Sequence, residues 1–233
     1  MGFLFYTNKK VGNLLIYFLV IDYKYKILFE RSFVFMKIKK LSFILLALLG
    51  LTILIAYQST NEGDKKMLVT STGIVNGIID DKYGKYGEQF NENGMPTYSL
   101  PLKFENTPKK TKSYVIVVED KDAFPISGGF SWIHWTAANI TKTEIMENES
   151  QTAKDFVQGV NSWMSTQGGN QSKELSSFYG GMAPPDAPHI YEIHVYALDD
   201  MLNLENGFLY NDLYRKMEGH ILDTYTLKGE YRN

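Results

Sequence analysis

Between residues 67 and 233 the apolar positions fall mainly into short extended blocks and alternating runs. They predict strands over 68–72, 99–104, 113–119, 130–139 and 191–198, with a last one over 225–231. One helix is predicted near the end, capped by Asn211, with Leu213, Met217 and Ile221 at fourfold spacing and an end near Leu222. There is no internal repeat and no strand–helix–strand alternation. The predicted fold is therefore mainly β, a sandwich or barrel-like sheet with peripheral helices.

Before residue 67 the pattern changes. Residues 41–57 carry no charge and are mostly apolar, and Lys37, Lys39 and Lys40 stand just before them. A basic flank followed by an apolar run predicts a signal peptide or membrane anchor over 36–57, with the remainder of the chain translocated. The bland reading of the same run is a buried core helix. No clear small-x-small cleavage site follows, Ala56 and Ser59 being the nearest candidates. Met36 opens the basic-then-apolar order, so translation is expected to start there, with 1–35 as a non-native extension. Residues 58–66 are polar and breaker-rich and read as a linker, leaving 67–233 as the folded domain.

Composition narrows the function. Of 233 residues, 44 % are apolar and 21 % charged, and 16 Tyr with 14 Phe favour a β-rich core. A net charge of −2 gives no basis for a polyanion, so no nucleic-acid partner is expected. The absence of cysteine excludes disulfides, thiolate nucleophiles and iron–sulfur clusters. A chain this long can bury a core without covalent staples, so export remains compatible with that composition. The domain is expected to be extracytoplasmic, anchored or secreted.

The candidate chemistry centres on residues 179–199, YGGMAPPDAPHIYEIHVYALD, where a glycine pair and a proline-rich turn feed an extended run beginning at His189. Alternation puts His189, Tyr191 and Ile193 on one side of that run and Ile190, Glu192 and His194 on the other. In the run after residue 130, Trp132 and His134 share one face while Ile133, Trp135 and Ala137 take the opposite one. The apolar run 113–119 leads into Asp120, Lys121 and Asp122, which positions carboxylates at the end of a buried strand. If these faces coincide, two imidazoles, a phenol, an indole and a carboxylate meet in one pocket suited to an oxyanion. Asp120 would orient an imidazole, His134 and His189 would donate to the anion, and the amides of Gly180 and Gly181 would add donors. His194 and His220 read as satisfied structural histidines. No nucleophile elbow, Walker loop, zincin helix or dinucleotide fingerprint occurs. A serine triad has no serine singled out for it, and Asp120, His134 and His189 match no recurring zinc spacing.

Five ordered motifs, SYVIVVEDKDAF, GFSWIHWTAANI, GVNSW, the 179–199 stretch and LKGEYR, make the chain resemble the phosphatidylethanolamine-binding protein family in its bacterial Raf-kinase-inhibitor-like branch. The likeness covers roughly Leu68 to Asn233. It implies a Greek-key β-sandwich of two antiparallel sheets with a C-terminal helix beside a small anion site. It also implies pocket residues at Asp120, Asp122, Trp132, His134, Gly180, Gly181, Pro184, Pro185, His189 and Tyr191. The implied role is a binding module without turnover, cofactor or metal, taking phosphate-like or phospholipid head groups. The alternative is an inhibitor of a kinase or protease, and a metal-dependent hydrolase ranks below both. Where the family has Asp-Pro-Asp-Ala-Pro this chain has Asp120, Lys121, Asp122, Ala123 and Phe124. The family's His-Arg-Tyr becomes His189, Ile190 and Tyr191, and a common tryptophan is Phe104 here.

Overall fold

The computed structural model describes the backbone of residues 9–62 and 65–233, with side chains for 22–33, 35–54 and 65–233. The expectation placed on residues 1–8 falls outside these, as do the side chains of the cleavage candidates Ala56 and Ser59. The chain divides into two units, Met1–Asp64 and Lys65–Asn233.

The described backbone of the first unit is one helix, α1 (Lys9–Glu62), whose described side chains are all exposed. The linker expected over 58–66 is helical as far as Glu62, because residues 58–62 contain no glycine or proline to stop it. Among the described residues no helix is long and apolar enough to cross a membrane.

The second unit is mainly β. In chain order its strands are β1 (Leu68–Thr70), β2 (Ile74–Val75), β3 (Ile78–Ile79), β4 (Leu102–Glu105), β5 (Ser113–Asp120), β6 (Trp132–Ile140), β7 (Glu144–Ile145), β8 (Val157–Gln158), β9 (His189–Leu198) and β10 (Ile221–Tyr231). Strands β1, β4 and β7 form a three-stranded sheet, and the other seven form a sheet in the order β2-β3-β10-β9-β5-β6-β8. Among the described strands every pairing is antiparallel except β3 with β10.

All eight residues of β5 are buried, as its unbroken apolar run requires of a strand covered on both faces. On one face Ile116 and Val118 pack with Trp135, Ile193 and Val195 against Val69, Leu102, Phe104 and Ile145 of the small sheet. On the other, Val115, Val117 and Ala138 are covered by Leu202, Leu204 and Phe208, and by Leu213 and Met217 of helix α2 (Tyr210–Met217). Burying Leu213 and Met217 stabilises by roughly 1.5–3 kcal/mol each. The predicted helix ends earlier than its apolar spacing suggested. Gly219, at φ +82, supplies the left-handed turn beyond the last helical residues, and Ile221 then opens β10 instead of extending α2. Leu209, not Asn211, occupies the N-cap position.

Candidate functional site

Strand register assembles the site. On β5, Asp120 pairs with Tyr191 of β9 and with Trp132 of β6. Directly opposed residues of antiparallel strands project to one face, so these three side chains form a row at the ends of the central strands. His189, two positions before Tyr191, falls on the same side.

His134 arrives there through an irregularity. Val118 pairs with Trp135 and Glu119 with Ile133, so His134 has no partner across β5 and forms a β-bulge. The bulge resets the alternation. Trp135 and Ala137, expected on the face away from Trp132 and His134, join the same inter-sheet core as Val118. The Trp135 indole then donates to Gln158 Oε1 at 2.8 Å.

The row borders a cavity of about 230 Å³. Of the residues expected at the site, Asp120, Trp132, His134, Pro185 and Tyr191 line it. Ala123, Ile126, Trp163, Gln167, Gly168 and Ala183 line it as well and were not picked out by the sequence reading. The signal for Trp163 was present in Asn161, whose side chain accepts from the Trp163 amide at 3.0 Å and starts the tight turn Ser162–Met164. That turn sets the Trp163 ring edge-on to Trp132, with centroids 5.3 Å apart, and to His134 at 5.1 Å.

The remaining expected residues hold the pocket from behind. The Gly180 amide donates to the His134 carbonyl at 2.8 Å and the Gly181 amide to the Pro96 carbonyl at 2.7 Å, so neither is free for an anion. Their lack of a side chain is a packing requirement. A Cβ at Gly180 would lie 2.7 Å from the Trp163 ring, and one at Gly181 2.5 Å from the Tyr83 carbonyl oxygen. Pro184 is buried, and its carbonyl accepts from Lys85 Nζ at 2.6 Å. The Asp122 carboxylate accepts from the Ile190 amide at 2.9 Å.

His189 differs most from its expected role. Its Nδ1 lies 2.8 Å from Asp120 Oδ2 and its Nε2 3.0 Å from Asp186 Oδ1. Carboxylates only accept, so both ring nitrogens carry hydrogens and the ring is an imidazolium whose donors are both spent. Burial opposes that charge, but the bond to Asp120, the Asp120 charge and Asp186 outweigh it and raise the His189 pKa. A raised folded-state value means stabilisation that is complete below the unfolded value of about 6.5 and lost as pH rises through the folded one. In urea melts, the stability difference between wild type and His189→Gln is expected to shrink from about pH 6 to pH 9. A difference constant over that range would contradict the imidazolium assignment.

Asp120 is fully employed. Its Oδ1 accepts from the amides of Asp122 at 2.9 Å and Ala123 at 3.1 Å while Oδ2 takes His189, which holds the turn after β5 in place without the family's proline. His134 donates from Nδ1 to the Gly180 carbonyl at 2.7 Å. Burial pushes its pKa down, against partial opposition from the Asp120 charge and the backbone at Gly180 and Gly181. The ring is therefore neutral, and Nε2 presents a lone pair. Tyr191 is wholly buried, and its hydroxyl has no partner at hydrogen-bonding geometry. Burial first, then the charge of Asp120 and the approach of its carboxylate to the hydroxyl, raises its pKa, while the Ala183 amide beside the phenol oxygen works the other way.

His194 and His220 are satisfied, the former by Thr226 Oγ1 and Glu119 and the latter by Asp199. Among the described residues the group able to bring three metal-ligand atoms within 4.8 Å is Glu119, Glu192 and His194, not Asp120, His134 and His189. Lys121 already bridges that acidic pair, and Lys228 pairs with Glu192.

The family model for phosphatidylethanolamine-binding proteins matches residues 70–232. The chain belongs to the phosphatidylethanolamine-binding protein family. Among its relatives in that family is the Bacillus subtilis uncharacterized protein YxkA, 42 % identical over 151 residues that make up 63 % of this chain and 89 % of YxkA. A UPF0098 protein of Chlamydia trachomatis is 36 % identical over 134 residues, 57 % of this chain and 81 % of that protein. The crystal structure of CT736 from Chlamydia trachomatis, described as a phosphatidylethanolamine-binding protein homologue, superposes with a TM-score of 0.58 at 32 % identity, covering 72 % of this chain and 98 % of CT736. Escherichia coli YbcL, at 23 % identity and a TM-score of 0.57 over 72 % of this chain and 99 % of YbcL, shares the fold.

Proposed function

We propose that the 67–233 domain binds a small phosphate-like anion, free or as a head group, without turning it over. The observation that carries this reading is the buried, unpartnered Tyr191 hydroxyl at the cavity. A buried polar group without a partner costs about 1–3 kcal/mol, and a bound ligand that accepts from it recovers that cost. Ala183 lies beside that hydroxyl on the cavity wall, and the Trp132 and Trp163 rings wall the site. Binding without turnover is the preferred reading because, among the described residues, the lining includes no serine, threonine, cysteine or lysine. His189, held as an imidazolium, has no lone pair with which to act as a base, and the lone pair of His134 Nε2 has no serine, threonine or cysteine beside it in the lining to activate. Inorganic phosphate is expected to bind the wild-type protein in a calorimetric titration and to lose at least about tenfold in affinity in His134→Ala with the fold retained. Equal affinities would remove His134 from the site.

Residues 36–57 are proposed to export the domain or to tether it at a membrane, on the strength of the basic flank and the uncharged run after it. The inhibitor reading is favoured by one observation of its own. Phe124, Ile126 and Phe130 remain 60, 45 and 73 % exposed, and Ile126 lines the cavity. Exposed apolar side chains at a pocket mouth suit a protein partner.

A further inference from the structure

We propose that His189 is a pH-operated latch for residues 185–188 of the cavity wall: with both ring nitrogens protonated it ties that segment to strand β5, and with one it lets the segment go. The latch goes beyond the binding reading above and holds whichever ligand the cavity takes.

The loop that starts at Tyr179 is fixed as far as Pro184. The Gly181 amide donates to the Pro96 carbonyl, the Met182 amide to the Tyr83 carbonyl and Lys85 Nζ to the Pro184 carbonyl. Strand β9 takes over at His189, which pairs with Tyr231 of β10. Between those anchors Pro185, Asp186, Ala187 and Pro188 are all exposed. Among the described residues the one hydrogen bond these four make runs from His189 Nε2 to Asp186 Oδ1, at 3.0 Å. Pro185, next to Asp186, lines the cavity. A single proton therefore decides whether this part of the wall is tied.

The two ends of the imidazolium are unequal. Nδ1 meets Asp120, whose side chain is 3 % exposed, whereas Nε2 meets Asp186, whose side chain is 54 % exposed. When the ring gives up a proton to solvent, Asp120 keeps its donor, because a buried charge left unpaired costs more than one returned to water. The Nε2 lone pair then faces the Asp186 carboxylate, acceptor against acceptor, and Asp186 turns out into water. The tie on Pro185 goes with it.

The charged and titratable groups facing the ring are Asp120 and, just past it, Asp122 on the β5 side, His134 on β6, Tyr191 on β9, Tyr231 on β10 and Asp186 on the loop, with Lys85 behind Pro184. Burial holds His134 neutral and pushes the Tyr191 phenol up, and the Tyr231 phenol is pushed up to about 12, burial again leading. At His189 burial works against the charge, and Asp120 and Asp186 outweigh it. Between about pH 6 and pH 9 the imidazole or phenol here that changes charge is therefore His189, and the latch opens as pH rises.

The chain has no cysteine, so a nitroxide on Ala187→Cys reports this segment alone. Its mobility is followed by electron paramagnetic resonance in the full-length chain. From about pH 6 to about pH 9 the label's correlation time is expected to shorten roughly twofold or more, along a one-proton curve with its midpoint above about 6.5. With Asp186→Ala added, the segment is untied throughout, and the short correlation time is expected at both pH values. Asp186→Asn offers an oxygen to the N–H or an N–H to the lone pair, so the long correlation time is expected at both. Positions 186 and 187 are exposed, so the fold is expected to survive each change. Mobility that does not change with pH in the labelled parent overturns the latch. So does an Asp186→Ala chain that stays as immobile as the parent at about pH 6 or keeps the parent's pH dependence, and so does an Asp186→Asn chain that loosens with pH as the parent does.

Discussion

Asp120→Ala is expected to lower the unfolding free energy by about 3–5 kcal/mol, the cost of breaking a buried ion pair by deleting one partner. Asp120 is 2 % exposed, and its carboxylate holds the amides of Asp122 and Ala123 with one oxygen and His189 with the other. The substitution strands two amides and leaves the imidazolium with Asp186 alone, whose side chain is 54 % exposed. Ala123 and Ile126 on the following turn line the cavity, so ligand affinity is expected to fall together with stability. Asp120→Asn, which keeps an acceptor for the amides while losing the charge, is expected to fall between wild type and Asp120→Ala. Urea unfolding followed by fluorescence measures all three. A loss under about 1 kcal/mol for Asp120→Ala would show that this cradle does not hold the pocket.

Tyr191→Phe is expected to do the reverse, separating binding from stability. Because the hydroxyl is buried without a partner, its removal relieves a desolvation penalty, and stability is expected to stay level or to rise by about 1 kcal/mol. Phosphate affinity is expected to drop about tenfold to a hundredfold, as befits a lost hydrogen bond to a charged group. Paired urea melts and calorimetric titrations check both halves. A loss of stability above about 1 kcal/mol would mean that the hydroxyl serves the fold, and an unchanged affinity would mean that it does not meet the ligand.

Legibility in the sequence followed the physics of each element. Strands β5, β6 and β9 were readable because long β-branched and aromatic runs have one stable environment, a covered sheet. The short strands β2, β3, β7 and β8, of two residues each, are fixed by their neighbours and carry no periodic signal. Alternation correctly grouped His189 with Tyr191 and Trp132 with His134. It failed at Trp135 because a bulge inserts one residue without marking it in the local pattern. The glycine pair before the proline-rich turn drew attention to Gly180 and Gly181, yet sequence alone could not show that their amides are consumed by the His134 and Pro96 carbonyls. Nor could it show that His189 is flanked by two carboxylates, since Asp186 comes within 3.0 Å of its ring only through the path of the 179–188 loop. Trp163, on the tight turn that Asn161 starts, and Ala183, on the 179–188 loop, entered the pocket by tertiary packing.

A crystal of the 67–233 domain grown in phosphate tests the central claim most directly. The predicted result is tetrahedral density in the cavity within hydrogen-bonding distance of the Tyr191 hydroxyl and His134 Nε2, with His189 still bound between Asp120 and Asp186. Phosphate bound elsewhere with the cavity holding only water, or a protein group turned in to partner the Tyr191 hydroxyl, would contradict it.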